Sequence, residues 1–296
     1  MNHPISGVLT AIVTPFDEDG ALNIAALKQQ VNRQLAAGNG IFCGGTNGEF
    51  FVLNEAEKVA VTAACVEEVA GRAPVVAHIG EVSTRETIRL GKQVEKLGVD
   101  VVSVITPWFV PLTQQELINH YTAVADALSV PIFLYNIPAR TGNTIEPQTA
   151  RKLAGHPNIV GIKDSAGSYN SLKGFLEAVK DIPDFDVLNG PDSLIHQGFV
   201  DGCSACISGL ANVAPNEINA IWAHFKAGDI GASHAAQESI TGLRTDLYKV
   251  AFSPAAVKKA LQLMDFNVGE SRYAINFSED SISEINQVLH RYALNN

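Results

Sequence analysis

Lys163 follows the uncharged run Ile159-Val160-Gly161-Ile162, which has the composition of a strand buried on both faces. A lysine there is costly unless it is paired or neutral. Low-dielectric surroundings favour the free amine, the nucleophile needed to attack a ketone and form a Schiff base. The competing use is a structural ion pair with neighbouring Asp164, and position alone leaves both open. Tyr135 ends another apolar run, at 131–135. Its phenol can give and take the proton that carbinolamine formation and dehydration require. The plain alternative is a core tyrosine with its hydroxyl bonded to backbone. In Gly44-Gly45-Thr46-Asn47-Gly48-Glu49 no Lys-Ser/Thr follows, so this is not a nucleotide-binding loop. Its glycines would let the backbone amides of Thr46 and Asn47 approach a small anion such as a carboxylate, though a simple tight turn reads the same way. Glu49 reads as a structural hydrogen-bonding residue. Arg140 lies in a Pro/Gly-punctuated stretch. Its planar fork suits a substrate carboxylate, against the alternative of an exposed loop arginine.

These residues need a scaffold. Short β-branched runs recur at 8–13, 40–43, 74–79, 101–105, 131–135, 159–162, 186–188 and 204–207, each followed by helix-like sequence. Ser83-Thr84-Arg85-Glu86 and Thr113-Gln114-Gln115-Glu116 read as capping boxes, and Glu146-Pro147 places proline in a first helical turn. Ile88, Leu90, Val94 and Leu97 form one apolar stripe. Eight βα units predict a (β/α)8 TIM barrel of class α/β. The competing open, doubly wound sheet lacks a Gly-x-Gly-x-x-Gly turn after its first strand. In a barrel the chemistry gathers at the C-terminal strand ends, where Thr46, Tyr135 and Lys163 all fall. Residues 1–215 are expected to form the barrel. Residues 216–296 are expected to form a C-terminal helical region that includes the last barrel helix, with helix starts near Ser253-Pro254 and Ser281-Ile282-Ser283-Glu284.

Composition narrows the function classes. The 296 residues are 46% hydrophobic and 18% charged, enough to bury a large core and unlike a disordered chain. A net charge of -10 with pI near 5.2 argues against nucleic acid as a partner. No signal peptide or membrane span is readable. Cys43, Cys65, Cys203 and Cys206 lie in apolar surroundings, as expected of core residues in a reducing compartment, and a cytoplasmic location is expected. Cys203 and Cys206 have CxxC spacing, but no second pair completes a zinc site. A metal-dependent barrel using His78 and Asp192 lacks a third ligand.

Together these residues resemble the N-acetylneuraminate lyase and dihydrodipicolinate synthase superfamily of Schiff-base pyruvate aldolases. The likeness spans essentially the whole chain. It rests on Gly45-Thr46-Asn47-Gly48-Glu49, on Tyr135-Asn136-Ile137-Pro138 with Arg140-Thr141-Gly142, and on Gly161-Ile162-Lys163-Asp164. The resemblance implies Lys163 as Schiff-base lysine, Tyr135 as proton-transferring tyrosine and Thr46 as relay. It implies that the amides of Thr46 and Asn47 hold the pyruvate carboxylate, that Ile207 lines the pyruvate pocket, and that Arg140 binds the carboxylate of aspartate semialdehyde. It implies no metal or organic cofactor, and a homotetramer built from tight dimers. The substrates implied are pyruvate or a related 2-oxo acid plus an aldehyde. Two features depart from the synthase pattern. Phe109 stands where most members carry the tyrosine that enters a neighbouring subunit's site and completes the relay, which opens a reading as a non-catalytic 2-oxo-acid-binding protein. The stretches from His78 to Thr84 and from Asn189 to Asp192 look more like the sialic acid and 2-keto-3-deoxy-sugar-acid aldolases. Phe50, Phe51 and Trp108 lie near where some synthases bind feedback lysine, and those binding residues are absent.

Overall fold

A computed structural model describes residues 5–294. Among them eight parallel strands close into a barrel in sequence order: β1 (Gly7–Ala11), β2 (Gly40–Cys43), β3 (Val75–His78), β4 (Val101–Ile105), β5 (Ile132–Asn136), β6 (Ile159–Asp164), β7 (Asp186–Asn189) and β8 (Ala205–Ser208). The helices are α1 (Ile24–Ala36), α2 (Glu55–Val69), α3 (Thr84–Val94), α4 (Gln114–Ala127), α5 (Pro138–Thr141) and α6 (Pro147–Leu153). They continue as α7 (Tyr169–Val179), α8 (Ile195–Asp201), α9 (Pro215–Lys226), α10 (Ile230–Tyr248), α11 (Ser253–Leu263) and α12 (Glu279–Arg291). The expected (β/α)8 architecture is the one observed, and the open sheet is not. β1, β4 and β5 are buried at every residue, because strands covered on both faces select apolar side chains throughout.

The strands overrun the apolar runs that signalled them. β5 continues to Asn136 and β6 to Asp164, with Tyr135 opposite Lys163 and Asn136 opposite Asp164. The extension is possible because the polar pair satisfies itself: Asn136 Nδ2 donates to Asp164 Oδ1 at 2.8 Å, although both residues are buried. Lys163 therefore stands inside a strand rather than just beyond one.

Helix starts follow the capping chemistry, with two corrections. Thr113 and Glu116 form the reciprocal box expected, and Pro147 occupies the first turn of α6. Ser83 does cap α3 by position, but its side chain makes no capping bond, while Glu86 is drawn into ion pairs with Arg85 and Arg89. α12 begins earlier than the Ser281 signal, because Ser278 accepts from the amide of Ser281. Asn54 and Glu57 form a box on α2 that the sequence reading passed over. The apolar stripe of α3 is also shifted. Thr87, Leu90, Gly91 and Val94 are its buried residues, and Ile88 and Leu97 are half-buried. A Cβ on Gly91 would lie 2.6 Å from Leu128 Cδ1, so any other residue there requires the Leu128 side chain to shift.

The chain packs as two compact units. The first comprises Met1–Gly7 and Pro74–Ile207, and the second Val8–Ala73 and Ser208–Asn296. Within the first, β3 to β8 alternate with α3 to α8. Within the second, α9 and α10 pack as an antiparallel pair, turned at Gly228 (φ +80°) and tied by Ser233 Oγ donating to Ile221 O at 2.8 Å. Several buried polar groups of the second unit form satisfied sets. Thr10 Oγ1 donates to Gln34 Oε1 at 2.7 Å, and Asn212 bridges Val13 N and Ala11 O. No helix among the described residues is long and apolar enough to cross a membrane. The four cysteines are free and buried. Burial pushes the Cys203 thiol up to about 12 and raises that of Cys206, so both stay protonated.

Candidate active site

Tyr135 and Lys163 face each other across neighbouring strands. Register partners on adjacent parallel strands project to the same side, and β5–β6 pairing sets these two opposite each other. Lys163 is 4% exposed and Tyr135 2%. Lys163 Nζ stands 4.1 Å from the centre of the Tyr135 ring. The structure thus brings the Lys163 amine and the Tyr135 ring together away from bulk water, an arrangement compatible with carbonyl chemistry on a lysine.

Polar and aromatic groups nearby are held in contacts of their own. Neighbours along a strand point to opposite faces. The carboxylate of Asp164 accepts from Asn136 Nδ2 at 2.8 Å and Ala166 N at 3.2 Å. Burial pushes its carboxyl up, with the Asn136 bond pulling back. Tyr121 is a second buried tyrosine of the region, donating to Val104 O at 3.2 Å. Burial raises its phenol well above the ordinary range.

His78 was read from the sequence only as a possible metal ligand and as the start of the stretch to Thr84. It ends β3, is 3% exposed, and meets Tyr135 edge-on with ring centres 5.9 Å apart and planes at 89°. That contact was not legible, because it spans from β3 to β5. Among the described residues no group of three or more His, Cys, Asp and Glu side chains could hold a metal ion. Ile207 lies in β8 and is buried. Arg140 sits not in an open loop but in the single turn of α5, and it is exposed.

Phe109 is 94% exposed, with φ at +76°. A left-handed backbone at a bulky residue costs roughly 1–2 kcal/mol. The segment is held by Asn143, whose Nδ2 donates to Pro107 O and Val110 O and whose Oδ1 accepts from Leu112 N, all at 2.8 Å. Thr106 Oγ1 donates to Thr141 Oγ1 at 2.8 Å, and Thr141 Oγ1 donates to Asn143 O at 3.0 Å, so the clasp extends to α5.

The second unit carries the Gly44–Glu49 turn. Its closing bonds run from Glu49 N to Thr46 O and from Phe50 N to Gly45 O. They use the carbonyl of Thr46 rather than its amide. Thr46 and Asn47 are half-buried. A Cβ on Gly45 would fall 2.2 Å from the Phe42 ring, so glycine is obligatory there. Glu49 has the structural role expected. It is wholly buried with φ +55°, pairs with Lys258 Nζ at 2.6 Å, and accepts from Arg272 N at 3.1 Å. Burial brings the Lys258 ammonium down to about 8 in spite of Glu49. Lys258 and the Arg272 guanidinium also lie 4.0 and 4.1 Å from the centre of the Phe16 ring.

Comparison with known proteins agrees with this architecture. Residues 4–291 match the model of the dihydrodipicolinate synthetase family. The 4-hydroxy-tetrahydrodipicolinate synthase 1 of Halalkalibacterium halodurans is 35% identical over 90% of this chain and 90% of its own. The dihydrodipicolinate synthase of Thermotoga maritima superposes with a TM-score of 0.94 at 33% identity, covering 99% of this chain and 100% of that one. The chloride-inhibited dihydrodipicolinate synthase of Acinetobacter baumannii, solved with pyruvate, gives 0.94 at 31% identity, covering 98% and 100%. With barrel, strand-end residues and matches in agreement along the chain, this protein belongs to the dihydrodipicolinate synthetase family.

Proposed function

We propose that the protein is a pyruvate-dependent aldolase acting through a Schiff base on Lys163, which condenses pyruvate with an aldehyde such as aspartate semialdehyde. The observation that carries this reading is the burial of Lys163 beside Tyr135, with Nζ 4.1 Å from its ring. Family membership and the pyruvate complex of the Acinetobacter baumannii relative support it.

In this mechanism the Lys163 amine attacks C2 of pyruvate to give a carbinolamine. Tyr135 protonates the departing hydroxyl, water leaves, and a protonated imine remains. Loss of a proton from C3 gives the enamine, with the imine nitrogen as electron sink. The enamine carbon then attacks the aldehyde, and hydrolysis or internal cyclisation frees the lysine. Thr46 is assigned the relay of protons to Tyr135. The amides of Thr46 and Asn47 are assigned the pyruvate carboxylate, Ile207 the wall of the pocket, and Arg140 the carboxylate of the aldehyde. No metal or organic cofactor enters the scheme, and the assembly proposed is a homotetramer.

His78 against Tyr135 favours a second reading of the same chemistry, with a sugar-acid-type aldehyde, because an imidazole can bond a hydroxylated substrate. Phe109, which lacks a hydroxyl, favours a non-catalytic 2-oxo-acid-binding protein. Borohydride with pyruvate, followed by intact mass, tests the core claim. An adduct is expected on the wild type and none on Lys163→Ala. An adduct that survives the substitution overturns the assignment. A turnover screen pairing pyruvate with aspartate semialdehyde and with short sugar aldehydes separates the readings, and absence of turnover with all of them favours the binding protein.

A further inference from the structure

A cleft of about 340 Å3 opens between α3 and α4, lined by Val82, Thr84, Pro107, Leu112, Glu116 and His120, with Asn119 and Ala123 at its edge. Its floor holds an unusual group. His120 is only 5% exposed, and its Nδ1 is bonded to Thr84 Oγ1 at 2.8 Å. Its Nε2 is buried with no hydrogen-bond partner. A buried imidazole nitrogen without a partner is costly, and a ligand in the cleft would offset that cost. Burial also keeps the ring neutral, so Nε2 can accept once Nδ1–H donates to Thr84.

The rest of the lining defines what fits. Glu116 is the one charged residue of the cleft, and no lysine or arginine lines it. Both bonds that its carboxylate accepts from Thr113 fall on Oε2. Thr84 and Asn119 are the other polar residues, bonded to His120 and Gln115 respectively, and the remaining walls are apolar, from Val82, Pro107, Leu112 and Ala123. An anion meets a carboxylate of its own sign and no cation. A cation with N–H donors and a short aliphatic stem matches the carboxylate, the bare nitrogen and the walls together.

We propose that this cleft is a second small-molecule site, distinct from the Lys163 centre, that takes a short organic ammonium compound with its nitrogen between Glu116 and His120 Nε2. Such a ligand contacts Pro107 and Leu112, the two ends of the segment that carries Trp108 and Phe109. Asn143 clamps the same two ends. Trp108 therefore reports on occupancy, and the chain's only other tryptophan is Trp222.

The probe is n-butylammonium, titrated into the full-length Trp222→Phe chain and followed by Trp108 fluorescence and by calorimetry. Saturable binding is expected, with sodium butyrate inert. Ala123→Phe, an exposed position on α4, fills the cleft without touching the polar groups and should weaken binding at least about tenfold. Glu116→Gln keeps the capping box but removes the charge. It should weaken n-butylammonium by about tenfold while leaving 1-butanol unaffected. His120→Leu should weaken both. No saturable response, equal binding of butyrate, or unchanged binding in Ala123→Phe overturns the proposal. None of these readouts depends on the aldolase reading.

Discussion

The Tyr135 ring is bracketed by Lys163 Nζ over its face and by His78 at its edge. The phenol is therefore held in one orientation by two groups of different chemistry. Its proposed task is proton transfer rather than binding, so Tyr135→Phe should lower kcat by about 10²- to 10⁴-fold. The same variant should still accumulate the borohydride adduct at long times, which intact mass will read. His120 gives a second expectation at this scale. Burial lowers its imidazole from the ordinary 6.5 to about 4. Between those values the unfolded chain binds a proton that the folded protein refuses. This contribution is complete above pH 6.5 and is lost as pH falls toward 4. The loss amounts to roughly 3 kcal/mol at 1.36 kcal/mol per unit. Urea unfolding from pH 7 to 4.5 should show a shallower acid decline in His120→Gln than in the wild type.

At the scale of elements, what could be read from sequence depended on range. Lys163 and Tyr135 were legible because an uncharged run announces a strand and the fold places chemistry at its end. The Thr113–Glu116 box was legible because all its atoms lie within four residues. Ser83–Glu86 has the same letters, yet Glu86 found arginine partners and the box did not close. The two helix starts therefore answer differently to alanine. Thr113→Ala should cost about 1 kcal/mol and Ser83→Ala only a few tenths, both measured by chemical denaturation. The Asn136–Asp164 bond and the His78–Tyr135 contact were not legible, since each joins separate strands and neither has a local signature. The strained backbone at Phe109 was hidden for a related reason. A phenylalanine carries no sign of a left-handed φ, which Asn143 imposes from 34 residues away or nearly so, as its bond to Val110 spans 33.

At the scale of the whole molecule, the compact units draw on separated stretches of chain, and no composition shift marks their limits. The second unit joins residues before 74 to residues after 207, and the Glu49–Lys258 pair is one of its ties. Removing one partner leaves the other charge buried and uncompensated. Lys258→Met should therefore cost about 3–5 kcal/mol in urea unfolding, while Glu49→Gln with Lys258→Met should cost clearly less. A single mutant no worse than the double would refute this account of the pair. The (β/α) alternation was readable from beginning to end of the barrel. The partners of Glu49 were not, because a carboxylate in a glycine-rich turn does not say which distant cation will cover it.

That tie also has a direction in time. Arg272, whose amide bonds Glu49, lies 223 residues further along the chain. During synthesis the turn that bears Thr46 and Asn47 emerges early and must wait for the last quarter of the chain before anything neutralises Glu49. Chains halted short of Lys258 would carry a carboxylate shaped for burial with no counter-charge to receive it. Any such truncation would strand the turn nearest the proposed carboxylate-binding amides, however intact the strands already made.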